Sequence, residues 1–405
     1  MIDRVSIKRV NAFLRLEQHL NADVKEQGNS QKLFYMIGVY GASPSCYFSL
    51  LNRSAHVTMA DIDTAIYKER RLIRMRCMRG SMFLLSSGDA PMAFQATKRI
   101  ARSAFQKLIE KSGVTEREYR STVELLSVLT ESQCLTVNEL GKAISPEMKA
   151  VKRALNFIVA EMCSQGLLVR AGVRGGYKSN LFEYTSFKNW VPAFDIRSVP
   201  EPEAIVRLAR RYFETYGPAT AQDFQWWSGL SRSETKQALE IVSKEMVKLE
   251  VQGITGECLM PRSGMERLLS CPEKLPGDVK LLPAWDAYMM AYKAANRIRY
   301  LSPEYYNHIY DSSGNATYVV LMDGEVGGVW DMQTEKKEIH ILVSLFKDAG
   351  RTVWHKIGKE ADRIAGWLGF ENARVFRCSL PPPLNQSPQN RFLSPLDGIK
   401  GEANG

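Results

Sequence analysis

The side chains whose type and spacing suggest chemistry in this sequence are mostly cationic. Between Thr136 and Tyr184, Lys149, Lys152 and Arg153 lie on the polar side of a helical repeat of Met148, Val151, Leu155, Ile158, Val159 and Met162. Arg174 and Lys178 sit in the glycine-rich run GVRGGYKSN just beyond it. Groups set out this way can neutralise phosphates along a nucleic-acid backbone. A second basic set, Arg74, Arg76 and Arg79 in LIRMRCMRGSMFLLSS, flanks an expected turn at Arg79-Gly80. The plain alternative for both sets is a hydrated surface, where most charge runs end up. Metal chemistry is poorly represented. Five scattered histidines lack ligand spacing, and seven cysteines, odd in number, contain no C-x-x-C pair. No metal is expected. Among the carboxylates, Asp61 and Asp63 lie in a short helical stretch, and Asp286 in LLPAWDAY reads as buried, hydrogen-bonded structure.

The elements that must carry these side chains follow from periodicity and punctuation. Thr136 with Glu139 forms a capping box for NELGKAI, and Ser145-Pro146 is placed to start the next helix, which Gly166 ends. Two β-rich runs, LLVRA and LFEYTSF, follow. Helix, turn, helix and hairpin in that order describe a winged helix, which can place a helix in the DNA major groove or serve protein contacts instead. Upstream, SIKRVNAFLRLEQHL and QKLFYMIGV are expected as helices, the second breaking at Tyr40-Gly41-Ala42-Ser43-Pro44. A Thr58-capped helix and a hairpin near Arg79-Gly80 complete a first unit. Downstream of a proline-rich linker (Val191 to Pro202), TAQDFQWWSGL–SRSETKQALEI repeats the grammar of TVNELGKAI–SPEMKAVKRAL. Trp226 and Trp227 could stack on bases, but adjacent tryptophans on a short helix more often fill a core. In the last third, Asp323-Gly324 between alternating apolar runs predicts a hairpin, and RTVWHKIGKEADRIAGWLGF a closing amphipathic helix.

The expected fold class is therefore α+β: three tandem winged-helix units followed by a C-terminal antiparallel β domain with a closing helix. The boundaries fall at 1–115, 116–190, 200–265 and 278–378, with 379–405 a mobile tail. The chain of 405 residues is 45% hydrophobic and 24% charged, ordinary for a globular protein. Its 54 Lys+Arg against 44 Asp+Glu give a net charge of +10, which favours a polyanionic partner. No run is long enough to cross a bilayer and the start lacks a signal peptide, so the cytoplasm is the expected compartment.

The phrases YGPATAQDFQWWSGL, LLPAWDAYMMAYK and VVLMDGEVGGVW, with IGVYGASP and LIRMRCMRGSMFLL before them, resemble the winged-helix interstrand-crosslink DNA glycosylase superfamily of the AlkZ/YcaQ type. The match runs in order from about Ser6 to Phe370. It implies a C-shaped DNA clamp that hydrolyses the N-glycosidic bond of bulky N7-alkylated purines without metal or cofactor. The family's catalytic signature, Gln-x-Gln or Gln-x-Asp, corresponds here to Tyr40, Gly41 and Ala42, followed by Ser43-Pro44. Cleavage develops positive charge at the sugar, and a polar group must hold water opposite the leaving base. Alanine can do neither, and tyrosine is a poor base near neutral pH. The family's Arg-Gly-Thr-x-His reads Arg79-Gly80-Ser81-Met82-Phe83, without the histidine. Ser43 and Ser45 lack an activating partner nearby, and a hydroxyl beside Pro44 is first a helix cap.

The resulting expectation is a DNA-binding protein of the DNA-repair glycosylase type. It recognises alkylated or crosslinked double-stranded DNA as a monomer, with its catalytic positions Tyr40, Ala42 and Ser43 substituted. Tyr40 either stacks on an unstacked nucleotide or packs into the first unit. A winged-helix transcriptional regulator is the alternative, distinguished by a palindromic footprint.

Overall fold

The computed structural model describes residues 3–21, 36–41, 44–192, 195–275, 277–335, 338–386, 391–399 and 401–403. Among them, helices alternate with four sheets of three, three, four and six strands. The class is α+β.

One local grammar occurs three times. In the middle of the chain, helix Glu116–Ser132 leads to strand Leu135–Thr136, helices Val137–Lys142 and Lys149–Ser164, and the hairpin Leu168–Arg174 with Leu181–Ser186. Strand Leu181–Ser186 is central, paired on one side with Leu135–Thr136 and on the other with Leu168–Arg174. The Thr136/Glu139 capping box is present in both directions. The following helix starts at Lys149, not at Ser145-Pro146, because the Ser145 hydroxyl is turned to the Glu147 carboxylate instead of capping. The third run repeats the order with helices Glu201–Tyr216, Ala221–Ser228 and Arg232–Val242, the last two opened by the boxes Thr220/Asp223 and Ser231/Glu234. Its strands Ala219–Thr220, Cys258–Pro261 and Met246–Val251 stand in the same order, and Asp3–Val5 adds a parallel strand at the outer edge. The N-terminus is thereby clasped to a unit more than 200 residues away in sequence.

The first run departs from expectation at its entry. Residues 31–35, expected as part of a helix, lie outside the described residues. Val39–Tyr40 is a strand, paired to the central strand Met82–Ser86, whose other neighbour is Leu72–Arg76. Gly38 ends any helix there: its φ is +94°, and a Cβ would stand 2.5 Å from Leu85 Cδ2 and 2.8 Å from the Leu84 carbonyl oxygen. Helices Ser45–Leu51 and Met59–Asp63 follow.

The six-stranded sheet runs Val279–Leu282, Val319–Met322, Glu325–Glu335, Glu338–Leu345, Ala373–Cys378, Gly401–Ala403. The Asp323-Gly324 turn has both φ values positive (53° and 88°), which suits a tight hairpin and matches the sequence expectation. Helix Arg351–Trp367 covers one face through Trp354, Ile357, Ala361, Ile364 and Ala365, and returns the chain parallel to Glu338–Leu345. The tail expected to be mobile is docked over 391–399 and 401–403. Leu396 is fully buried, Phe392 packs 4.7 Å from the Trp285 ring, and Gly401–Ala403 pairs with the exposed edge strand. An unpaired sheet edge and two apolar side chains outweigh the polar composition of the segment. The linker is not free either, since Val191 and Ile196 are buried. One hydrophobic core joins the first helix (Val10, Leu14), the first sheet (Tyr40, Phe83), the third run (Tyr212, Trp227) and the C-terminal region (Tyr288, Val329).

Candidate functional site

Tyr40 and Phe83, two of the positions read as substituted and 43 residues apart in sequence, are direct cross-strand partners. Successive side chains in a strand alternate faces, so both point the same way from the sheet. Their ring centroids lie 4.5 Å apart, and Phe83 meets Trp227 edge-on at 6.1 Å. Tyr40 is 7% exposed and Phe83 1%. Burial pushes the Tyr40 phenol up to about 12, against weaker opposing pulls from Arg79 and Arg297. It stays protonated at neutral pH and cannot act as a base. Gly41 continues the ladder by donating to the Met82 carbonyl at 2.8 Å, and a Cβ there would crowd Phe83 at 2.9 Å. Ala42 and Ser43 lie outside the described residues.

Two guanidinium groups face this aromatic patch. Arg79 has a φ of 55° in the turn Met78–Gly80 and packs against Gly229, whose missing side chain leaves room for it. Its guanidinium lies 4.2 Å from the Trp226 ring centroid. Arg297 is buried, 4.9 Å from the same ring and 3.7 Å from Tyr310, and donates to the Tyr292 and Gly314 carbonyls and the Tyr306 hydroxyl. Neither arginine has a carboxylate partner among the described residues. The two tryptophans divide: Trp227 is core against Tyr212 and Tyr216, whereas Trp226 is half-buried beside the guanidiniums. Arg297 gave no sequence signal, since nothing local marks it as part of this cluster.

The basic positions read from the sequence separate into three groups. Lys149, Lys152 and Arg153 are exposed on one helix with no ion-pair partner among the described residues. Arg174 is exposed but bridged to Glu139 at 2.9 Å and Glu183 at 2.7 Å. Arg174, and then Thr136, hold the Glu139 carboxyl down at about 2. The glycine-rich tip rests on other elements: Tyr177 packs on Tyr47 and Phe48, and Lys178 donates to the Thr334 hydroxyl at 3.1 Å. Arg174 thus remains exposed but shares its charge with two carboxylates. Arg74 is a correction to the sequence reading. It is 2% exposed and donates to the Tyr67 hydroxyl and Cys46 Sγ, leaving no outward face. Arg76 is half-buried, over Phe105 at 4.6 Å and donating to the Gly80 carbonyl.

The carboxylates do structural work. Asp286 is fully buried, bound by both Arg53 Nη atoms (2.7 and 2.8 Å), the Ser49 hydroxyl (2.7 Å) and the Tyr288 amide (2.9 Å). Asp61 caps its helix, and Asp63 accepts from the Tyr47 hydroxyl. Among the described residues no cluster of histidine, cysteine, aspartate and glutamate could hold a metal, and no helix is long and apolar enough to cross a membrane.

The class these features define is a DNA glycosylase scaffold. The model of the AlkZ-like DNA glycosylases matches residues 38–367, and the chain belongs to that family. The interstrand DNA cross-link repair glycosylase of Streptomyces sahachiroi is 23% identical over 314 residues, covering 75% of this chain and 81% of that protein. The structure of the S. sahachiroi DNA glycosylase AlkZ superposes with a TM-score of 0.75 over 92% of this chain and the whole of the other, at 20% identity. The fold and the family agree with the resemblance read from the sequence.

Proposed function

We propose that this chain binds alkylated or crosslinked double-stranded DNA as a monomeric clamp and holds the lesion without efficiently hydrolysing its glycosidic bond. In this reading the three repeated runs are tandem winged helices at 1–115, 116–190 and 200–265, closed by a β-rich domain at 278–378. Family membership and the cross-link repair function named for the S. sahachiroi relative support the DNA substrate. The observation that carries the loss of chemistry is the Tyr40–Phe83 ring contact. It fills the place where the family's glutamine and histidine would act with two apolar faces and a protonated phenol. Lys149, Lys152 and Arg153 are the proposed backbone contacts, with Arg79 and half-buried Trp226 facing the lesion.

The test compares binding with excision on one duplex carrying N7-methylguanine. Tighter binding than to the unmodified duplex is expected, with base release no faster than spontaneous loss. Enzyme-dependent release that survives Tyr40→Phe would overturn the assignment of the site to these residues. Restoring Tyr40→Gln, Ala42→Gln and Phe83→His together is expected to raise release by roughly a hundred- to a thousand-fold, the usual worth of one stabilising group.

A further inference from the structure

In the short turn Ala294–Arg299 the side chains of Asn296, Arg297 and Arg299 are buried, while Ile298 is 46% exposed between two arginines that are each 1% exposed. Asn296 donates to Asp223 Oδ2 at 2.8 Å. Arg299 donates to the Asn296 and Pro218 carbonyls and lies 3.7 Å from the Tyr292 ring, and Asn11 donates to the Arg299 carbonyl. Arg297 ties the same turn to the Tyr292 and Gly314 carbonyls and the Tyr306 hydroxyl. In a 3-10 turn, side chains three apart lie over one another, so exposed Ala295 shares a face with Ile298 and leaves it standing clear.

A lone exposed isoleucine is ordinary on a protein surface. This one stands on a rigid support beside the candidate site, because Arg297 and Arg79 share the Trp226 ring. Cations accompany it. Lys293, exposed at the start of the turn, donates to the Gln222 side chain and, like Arg79, has no carboxylate partner among the described residues. A fixed apolar side chain among uncompensated cations is complementary to a DNA duplex, whose phosphates meet the cations and whose stacked bases receive the apolar group. Isoleucine is among the side chains that enter base steps and unstack them. We propose that Ile298 is a wedge that enters the base stack beside the lesion and opens that step, an inference that rests on the lesion-binding function proposed above. Unstacking costs least where a base is already damaged, so the wedge adds preference for damaged over intact duplex.

The test uses 2-aminopurine, whose fluorescence is quenched by stacking, placed on the 5′ side of N7-methylguanine in one duplex and on the 3′ side in another. The full chain at saturation should raise emission at one of the two steps by about twofold or more. Ile298→Ala should lose that rise and bind the lesion duplex roughly tenfold more weakly, the worth of one apolar side chain withdrawn from water. Ile298→Leu should keep both. Half-exposed Ile298 contributes little to the core, so both variants should melt with the wild type. A rise that survives Ile298→Ala, or tight lesion binding by the wild type with no rise at either step, overturns the wedge. The lesion-binding function fails separately. Equal affinity of the wild type for methylated and unmodified duplexes refutes that function, whereas an Ile298-dependent rise on either duplex still establishes the wedge.

Discussion

A tyrosine and a phenylalanine in a cross-strand pair do what a glutamine and a histidine could not: they bury. The Tyr40–Phe83–Trp227 contact joins the hydrophobic core of the molecule, and the same residues close the place where a polar pair would need water. Charge is handled in the opposite manner at Arg53 and Asp286, which are 1% and 0% exposed and pair through both Nη atoms of Arg53. Removing one partner strands the other in apolar surroundings. Arg53→Met is expected to cost about 3–5 kcal/mol in denaturant unfolding, whereas Arg53→Met with Asp286→Leu should recover most of that loss. Equal destabilisation by the single and double variants would mean that the pair's geometry, not its charge balance, supports the fold.

At the scale of elements, exposure and pairing decide which basic side chains remain available. The helix Lys149–Ser164 carries three uncompensated cations at its start, and the neighbouring hairpin carries an arginine already held by two carboxylates. Changing Lys149, Lys152 and Arg153 to Gln should flatten the salt slope of DNA binding by about 2.7, at roughly 0.9 per phosphate contact. Arg174→Gln should leave the slope unchanged. Binding titrations at four salt concentrations measure both, and a slope change confined to Arg174 would reverse the assignment. The docked C-terminal segment yields a pH prediction. Asp331 accepts from the Leu396 amide, and burial raises its pKa to about 6, more than these hydrogen bonds lower it. A carboxyl raised above its unfolded value stabilises the fold fully below about pH 4, and this contribution is lost as pH rises through 6. Asp331→Asn should therefore raise stability by about 3 kcal/mol at pH 7.5, and by nothing near pH 4. A gain of equal size at both pH values would point to packing and not to ionisation.

For the whole molecule, one continuous core spans the N-terminal helix, the first and third runs and the C-terminal region. The N-terminal strand completes the edge of a sheet more than 200 residues away, and the C-terminal strand the edge of the sheet just before it. A monomer, as proposed, offers no two-fold axis to match a palindrome. DNase footprinting on a lesion-bearing duplex should give an asymmetric protected region, and sedimentation with DNA a one-to-one complex. Symmetric half-sites one helical turn apart would instead mark a dimeric regulator.

Local rules were enough for much of this. Capping boxes at Thr136, Thr220 and Ser231, the Asp323-Gly324 turn and the helical stripes depend on residues three or four apart, so the repeated helix–helix–hairpin order was readable. The ordered phrases also identified the family. What the sequence could not contain is distance across the fold. The burial of Arg74, the compensation of Arg174 by Glu139 and Glu183, the meeting of Arg79 and Arg297 at Trp226, and the docking of the tail all join residues brought together only by packing. A cation's role depends on whether a carboxylate, a ring or water stands within a few ångströms, and tertiary structure alone sets that neighbour.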